Sequence, residues 1–324
     1  MKGRLLRSFY LGMKPKMASN ALIPGFICFI ALVFMSGALA SASSDIRDNT
    51  CSSNCNSTPS SSMQAQPPQW DTFARTTVFG GSGISDYGGS LTMQEVDVGF
   101  DKRFSPNPRF ELSTGLHYSL KNIDAPGDAR LPTSLHRLAV NVGGSYRLND
   151  NLTLGLMVSP GLNSDFKAIT SSDIRAPIGL YARYRVSQRL TLTGGLMYAI
   201  GNHELPVLPM IGAMYQPSEK WTLTLGFPRT GVMLKPNKTT EYYLGAEFGG
   251  GEYQLHDQTI GSNIISYHDY RALTGIKWVL SPGIELGVAG GYSFGRKFVF
   301  QDGTRDDVNV NSAPFGRLEL KFLW

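Results

Sequence analysis

The stretch Tyr146-Arg-Leu-Asn-Asp-Asn-Leu-Thr-Leu-Gly-Leu156 joins an aromatic residue, a tight polar turn and a run that alternates leucine with small or polar residues. Two further copies are Tyr184-Arg-Val-Ser-Gln-Arg-Leu-Thr-Leu-Thr-Gly194 and Tyr215-Gln-Pro-Ser-Glu-Lys-Trp-Thr-Leu-Thr-Leu225, and looser ones pivot at 105–108, 236–238 and 281–282. Alternation with a period of two marks strands, because successive side chains of an extended chain point to opposite faces. From Thr72 onward no stretch sustains the 3.6-residue period of a helix, so the chain reads as all-β.

Working outward, six short turns alternate with longer polar connections at 80–89, 121–134, 161–173, 201–206, 249–266 and 296–311, with 228–231 as a short seventh. Short turns on one side and long loops on the other are the asymmetry of outer-membrane barrels. Six turns and seven loops predict a single transmembrane antiparallel up-and-down β-barrel of fourteen strands over 72–324. The two strands of 221–237 are short, which leaves twelve as the alternative.

The faces fit a wall between lipid and a polar lumen. In the last strand Leu318, Leu320, Phe322 and Trp324 alternate with Arg317, Glu319 and Lys321. A soluble sandwich would alternate in the same way, so three other features decide. Tyr146, Tyr184, Tyr215, Trp221, Trp278 and Trp324 stand at strand ends beside the turns, where a girdle at the water interface belongs. Small residues crowd the polar face, among 36 glycines in all. Finally, Leu318, Leu320, Phe322 and Trp324 form the terminal alternating pattern expected to be received by the barrel-assembly machinery.

Residues 1–42 read as a signal peptide: Lys2, Arg4, Arg7, Lys14 and Lys16 precede an apolar run from Ala21 to Ala40 that ends in small residues. Removing them takes away five of 30 basic residues and none of 25 acidic ones, so the mature chain is balanced. That excludes an overall electrostatic case for nucleic acid, which needs surplus cations against phosphate. The tract 43–71, rich in Ser, Asn, Pro and Gln, has little to bury and is expected to be disordered. It carries Cys51 and Cys55, a candidate disulfide in an exported chain.

The stretches Leu205-Pro-Val-Leu-Pro-Met-Ile-Gly-Ala-Met-Tyr-Gln-Pro-Ser-Glu-Lys-Trp221, Phe227-Pro-Arg-Thr-Gly231, Ser159-Pro-Gly161 with Asp165-Phe166, and Gly291-Tyr-Ser-Phe-Gly-Arg296 resemble a bacterial outer-membrane barrel family of unknown function. The resemblance spans roughly 75–324 and implies fold and location, but no activity.

No catalytic set or cofactor is expected. His117 shares the lumen face with Ser113 and Ser119, but no third orienting group can be named for a base and nucleophile. His256-Asp257 and His268-Asp269 flank one loop and could be imagined around a metal, although hydrated turns use the same residues. Gly249-Gly-Gly251 lacks the following helix of a phosphate loop. More informative are charges expected to project inward: Glu95, Asp97, Asp101 and Glu111 against Arg137, Arg147, Arg175, Arg183 and Arg185. Either they border an aqueous passage for small solutes, or they pair in a dry plug. The expected partners are membrane lipid, the assembly machinery and small solutes. The rivals to a passage are a surface-interaction barrel with a closed lumen and a lipid-modifying enzyme.

Overall fold

A computed structural model describes residues 69–324, apart from 86, 205, 227, 228, 303 and 304. The signal peptide over 1–42 and the Cys51 and Cys55 pair lie outside the described residues, as does nearly all of 43–71.

The strands are β1 Gln69–Gly83, β2 Ser90–Asn107, β3 Phe110–Asp124, β4 Ser134–Arg147, β5 Leu152–Val158, β6 Gly161–Ser164, β7 Ile174–Arg185 and β8 Leu190–Ile200. They continue as β9 Val207–Ser218, β10 Trp221–Gly226, β11 Arg229–Leu234, β12 Thr240–Gln254, β13 Ile264–Ser281, β14 Ile284–Phe300, β15 Val308–Val310 and β16 Ala313–Leu323. Neighbours pair antiparallel around the wall, and β16 returns to β1 from Asp71↔Leu323 to Phe79↔Phe315. The first and last strands thereby leave no open edge at this seam, which lipid could not satisfy.

Two of the sixteen segments are not separate wall strands. β5 and β6 form one strand broken at Ser159-Pro160, where proline has no N–H to give and Val140 N–H donates to the Pro160 carbonyl at 2.8 Å. β15 prolongs β16 alongside β14. The wall therefore has fourteen strands, and the short β10 and β11 are two of them. All six tight turns fall at the repeated units. The first strand begins at Gln69, three residues before the expected start at Thr72. Its extra residues are held by the terminal strand: Trp70 N–H donates to the Trp324 carbonyl.

The outer face is apolar as expected: Leu180, Leu196, Ile211, Leu225 and Leu244 are all more than half exposed on the isolated chain. In the last strand Leu318 is exposed while Arg317 is buried inside.

Strand lengths overturn part of the loop reading. Residues 249–254 and 264–266 belong to β12 and β13, and 296–300 to β14. Glycine and polar residues there mimic a loop, yet they build a second, narrower ring above the fourteen-strand one. In that upper ring β12 is joined not to β11 but to β6, at Gln254↔Ser164, and β6 continues to β4. The ring then runs through β3, β2, β1, β15 with β16, β14, β13 and back to β12, nine strands in all.

Nine strands leave room for side chains and little else. The upper lumen is filled by Leu91, Leu135, Tyr253, Ile265, Tyr267, Phe298 and Val308, all buried. Gly295, with φ of 60°, forms a bulge in β14 that turns Arg296, Phe298 and Phe300 inward. Above this core Arg305 donates to the carbonyls of Ala129, Arg130 and Ile260, drawing two loops together, and its guanidinium lies 4.1 Å from the Phe300 ring centre.

Candidate functional site

The inward face falls into three levels. Uppermost is the apolar core. Below it a belt of charges crosses the lumen, with Glu95 on β2 bonded to Lys121 on β3 and, at 2.8 Å, to Arg271 on β13. Arg271 also donates to Asp269 at 2.7 Å, and Asp269 accepts from Ser293 at 3.0 Å. Glu247, at the top of the β11–β12 pairing, is held by Arg317 and Arg229. Asp97 meets Arg75 at 3.2 Å. Three strands, β1, β16 and β14, separate β2 from β13 around the wall, so the Glu95–Arg271 pair reaches across the lumen and forms a floor under the core.

Beneath the floor the fourteen-strand ring bounds the turn-side part of the lumen, the vestibule, on whose inward face Arg147 and Arg185 are exposed. On one wall its charges are paired: Asp71 with Lys321 at 2.7 Å and Arg103 at 3.6 Å, and Glu241 with Lys235 at 3.0 Å and Lys277 at 3.7 Å. On the other wall Arg147, Arg183 and Arg185 make no ion pair among the described residues. Register sets Arg147 beside Thr153 and Thr153 beside Arg183, in one row across β4, β5 and β7. Arg185 stands one pleat nearer the mouth.

The expected lumen charges thus divide. Glu95 and Asp97 are buried in the floor, but their partners are Lys121, Arg271 and Arg75 rather than the arginines of β4 and β7. Asp101, packed where a Cβ on Gly115 would meet it, and the half-buried Glu111 lie lower, on the lumen face. Arg137 is half-buried beside the upper core. Arg175 leaves the arginine ladder and pairs with Glu252 at 3.0 Å. The sequence reading missed Arg75, Lys121, Glu247, Glu252, Arg271 and Arg296, while Arg317 lies on the polar face where its alternation set it. Inward parity would have found Arg271 and Glu247, once β12 and β13 were read as long strands.

The six girdle candidates all sit at turn-side strand ends. Tyr146, Tyr184, Tyr215, Trp221 and Trp324 are exposed and Trp278 is half-buried. Leu320 and Phe322 are half-buried and Trp324 is exposed at the closing seam. His117 Nε2 faces Asp97 at 3.7 Å, and its ring lies edge-on to Phe73. The two His-Asp pairs are scattered: His256 meets Asp173 at 2.8 Å, Asp257 meets Lys167, and His268 meets Glu204 at 2.8 Å while Asp269 faces inward to Arg271. Among the described residues no three such groups converge on a metal position.

A closed antiparallel barrel with an apolar exterior and a charged interior is a β-barrel of the outer-membrane type. The chain belongs to the family defined by a domain of unknown function, DUF6268, which matches residues 93–312. An uncharacterized protein of Chlamydia muridarum (strain MoPn / Nigg) is 24% identical over 135 residues, 40% of this chain and 42% of that one. The chain thus matches less than half the length of that relative. Among solved structures, a mutant of the TodX monoaromatic hydrocarbon channel aligns with a TM-score of 0.47 at 10% identity, over 79% of this chain and 91% of that one. An outer-membrane channel from Pseudomonas putida F1 aligns at 0.45 and 12% identity, over 82% and 97%. A Pseudomonas aeruginosa FadL homologue aligns at 0.44 and 11% identity, over 80% and 89%.

Proposed function

We propose that this protein is an outer-membrane passage for small solutes, shut along its axis at rest and entered from the turn side. The observation that carries this reading is the wall of Arg147, Arg183 and Arg185, which make no ion pair among the described residues, opposite a wall on which Asp71 and Glu241 are each paired with two cations. A barrel that served only to hold loops at a surface would gain by pairing or removing those charges, since like charges so near one another repel. They face water in the vestibule, where they draw anions.

The filled nine-strand ring favours the second reading, a surface-interaction barrel with a closed lumen. The two separate in a permeability panel: sugars of graded size in liposome swelling, and a small apolar fluorescent probe in intact cells. Faster permeation of at least one class than with an empty membrane supports the passage. Permeation of none leaves the surface-interaction barrel.

A further inference from the structure

Strand β12 changes neighbour along one edge. It pairs with β11 up to Arg229↔Glu247, and with β6 only at Gln254↔Ser164. Between these points residues 249–253 have no strand beside them on that edge among the described residues. The facing edge belongs to β9, whose pairing with β10 ends at Gly226↔Gly212, and among the described residues 207–210 have no strand beside them on that side. Four or five residues at 3.3 Å each make an interruption roughly 13–17 Å tall in the wall. The turn inward depends on glycine: Gly250 has φ of 132°, and a Cβ there would lie 2.0 Å from the Tyr267 carbonyl oxygen.

Two walls face each other behind this interruption. Glu252, Ser266 and His268 alternate with the core residues Tyr253 and Tyr267, so they lie on the outer face of the upper ring. Arg175 lies on the inner face of β7, yet it pairs with Glu252. Glu252 also accepts the N–H groups of His203 at 2.8 Å and Glu204 at 3.3 Å, and Glu204 meets His268. A cavity of about 90 Å³ lies between, lined by Asn202, Glu204, Phe248, Gly251, Glu252 and His268.

Below these ion pairs the inner face of the outer wall is apolar. Met157, Pro177, Met197, Leu208 and Met210 all point inward by register. Met157 and Met210 converge over Gly179, at 2.8 and 3.5 Å from where its Cβ would be. On the outer surface, beside the lower lip, lies an apolar hollow of about 330 Å³ that includes Leu223, Leu225, Val232 and Leu244.

We propose that the interruption between β9 and β12 is a lateral portal, through which small, mainly apolar solutes pass between the vestibule and the membrane interior. The inference rests on the passage reading and deepens it. Above the vestibule the axis is blocked by the Glu95–Arg271 floor and the apolar core, whereas the side route is crossed by the Arg175–Glu252 and Glu204–His268 pairs and lined by Met157 and the buried Met210. A route that ends in hydrocarbon suits only solutes that lose little on leaving water, which excludes ions and sugars. Methionine suits such a lining, because its flexible thioether adapts to solutes of different shape.

The test joins Glu204 to His268, which face each other across the crevice and leave Glu252 in place. Full-length E204C/H268C is expressed in cells whose outer membrane excludes 1-N-phenylnaphthylamine, and the rate of its fluorescence rise is measured. The uncrosslinked variant should admit the probe at least as fast as the wild type. A short reducible bis-maleimide should return the rate to that of cells lacking the protein, and dithiothreitol should restore it. Because one folded protein is compared before and after reduction, misfolding cannot mimic the result. Met210→Trp, which fills the inner wall, should slow the probe severalfold while heat-modifiability stays normal. Unchanged entry after cross-linking overturns the portal, as does permeation of sugars without the probe, and both leave the passage standing. If neither sugars nor the probe cross in any form, the passage itself falls.

Discussion

Trp70 and Trp324 exchange two backbone hydrogen bonds, 2.7 Å from Trp70 N–H to the Trp324 carbonyl and 3.0 Å in return, and their rings stack at 5.9 Å. The first and last strands are thus pinned at the turn-side rim, where barrel closure must be completed. Deleting Phe322–Trp324 removes this clasp together with the pairings Asp71↔Leu323 and Thr72↔Phe322. Folded barrel, read as the heat-modifiable band on a denaturing gel, should fall sharply, whereas deleting 43–68 should leave it nearly unchanged. Trp324→Ala loses only the ring contact, about 1 kcal/mol, and should assemble with a modestly lower unfolding temperature.

The floor predicts a larger effect from one side chain. Arg271 is buried and holds both Glu95 and Asp269. Arg271→Met leaves buried Glu95 with Lys121 alone and buried Asp269 with only the Ser293 hydroxyl, and should cost about 3–5 kcal/mol, seen as a lower temperature for loss of the folded band. Adding Glu95→Gln should recover part of that loss, because the two residues are coupled. Additive losses in the double variant would show that the floor is not a unit.

The barrel was legible in the sequence because its lower half obeys local rules. Units such as Tyr184 to Gly194 carry their own turn, aromatic and alternation. The upper ring was not legible, since it depends on pairings remote in sequence. Nothing near Gly249-Gly-Gly251 says that β12 will leave β11 for Ser164, and glycine read locally is a turn signal. The arginines show the same limit. Parity places Arg175, Arg183 and Arg185 on one face, and the structure agrees. Whether each is paired depends on Glu252, which lies on another strand and faces outward from its own ring.

The departure of β12 should be sensitive to a single methyl group. Gly250→Ala puts a Cβ against the Tyr267 carbonyl and imposes an unfavourable φ, for about 1–3 kcal/mol of backbone strain before any clash. Gly261 has φ of 78° but open space around its Cβ position, so Gly261→Ala should cost about 1 kcal/mol. Thermal unfolding of the pair should rank Gly250→Ala as clearly the less stable. Equal stability would mean that β12 can turn inward without glycine.

The loop-side network should loosen in acid. Lys167 and the hydroxyl and N–H of Thr259 hold Asp257 down to about 2. Burial raises Asp173, but the Thr170 N–H and His256 outweigh it and hold that carboxyl below its usual range. Both groups are depressed on folding, so their contribution is complete above the ordinary carboxylate range and fades as pH falls toward the folded values. A spin label at Gln258 should therefore stay ordered from pH 7 to about 4 and gain mobility between there and pH 2. Lys167→Ala should move the onset upward. Mobility that rises instead between pH 7 and 5 would point to the histidines as the controlling groups.

The vestibule arginines give the sharpest separation, because Arg175 and Arg183 share a strand face but not a role. Thr193 lies directly opposite Arg183 in register, so a cysteine there reports the local potential. Anionic and cationic methanethiosulfonates should modify Thr193→Cys at rates whose ratio favours the anion. Arg183→Gln with Arg185→Gln should lower that ratio by about tenfold, a typical effect of a charged cleft on local ion concentration, with little change in folding because neither guanidinium is ion-paired. Raising salt to 1 M should collapse the preference, since screening then acts within about 3 Å. Arg175→Gln should do the reverse: it strands Glu252, lowers the unfolding temperature, and leaves the ratio almost unchanged. An unaltered ratio in the Arg183 and Arg185 variant would place these charges outside the solvent path and remove the main support for a passage.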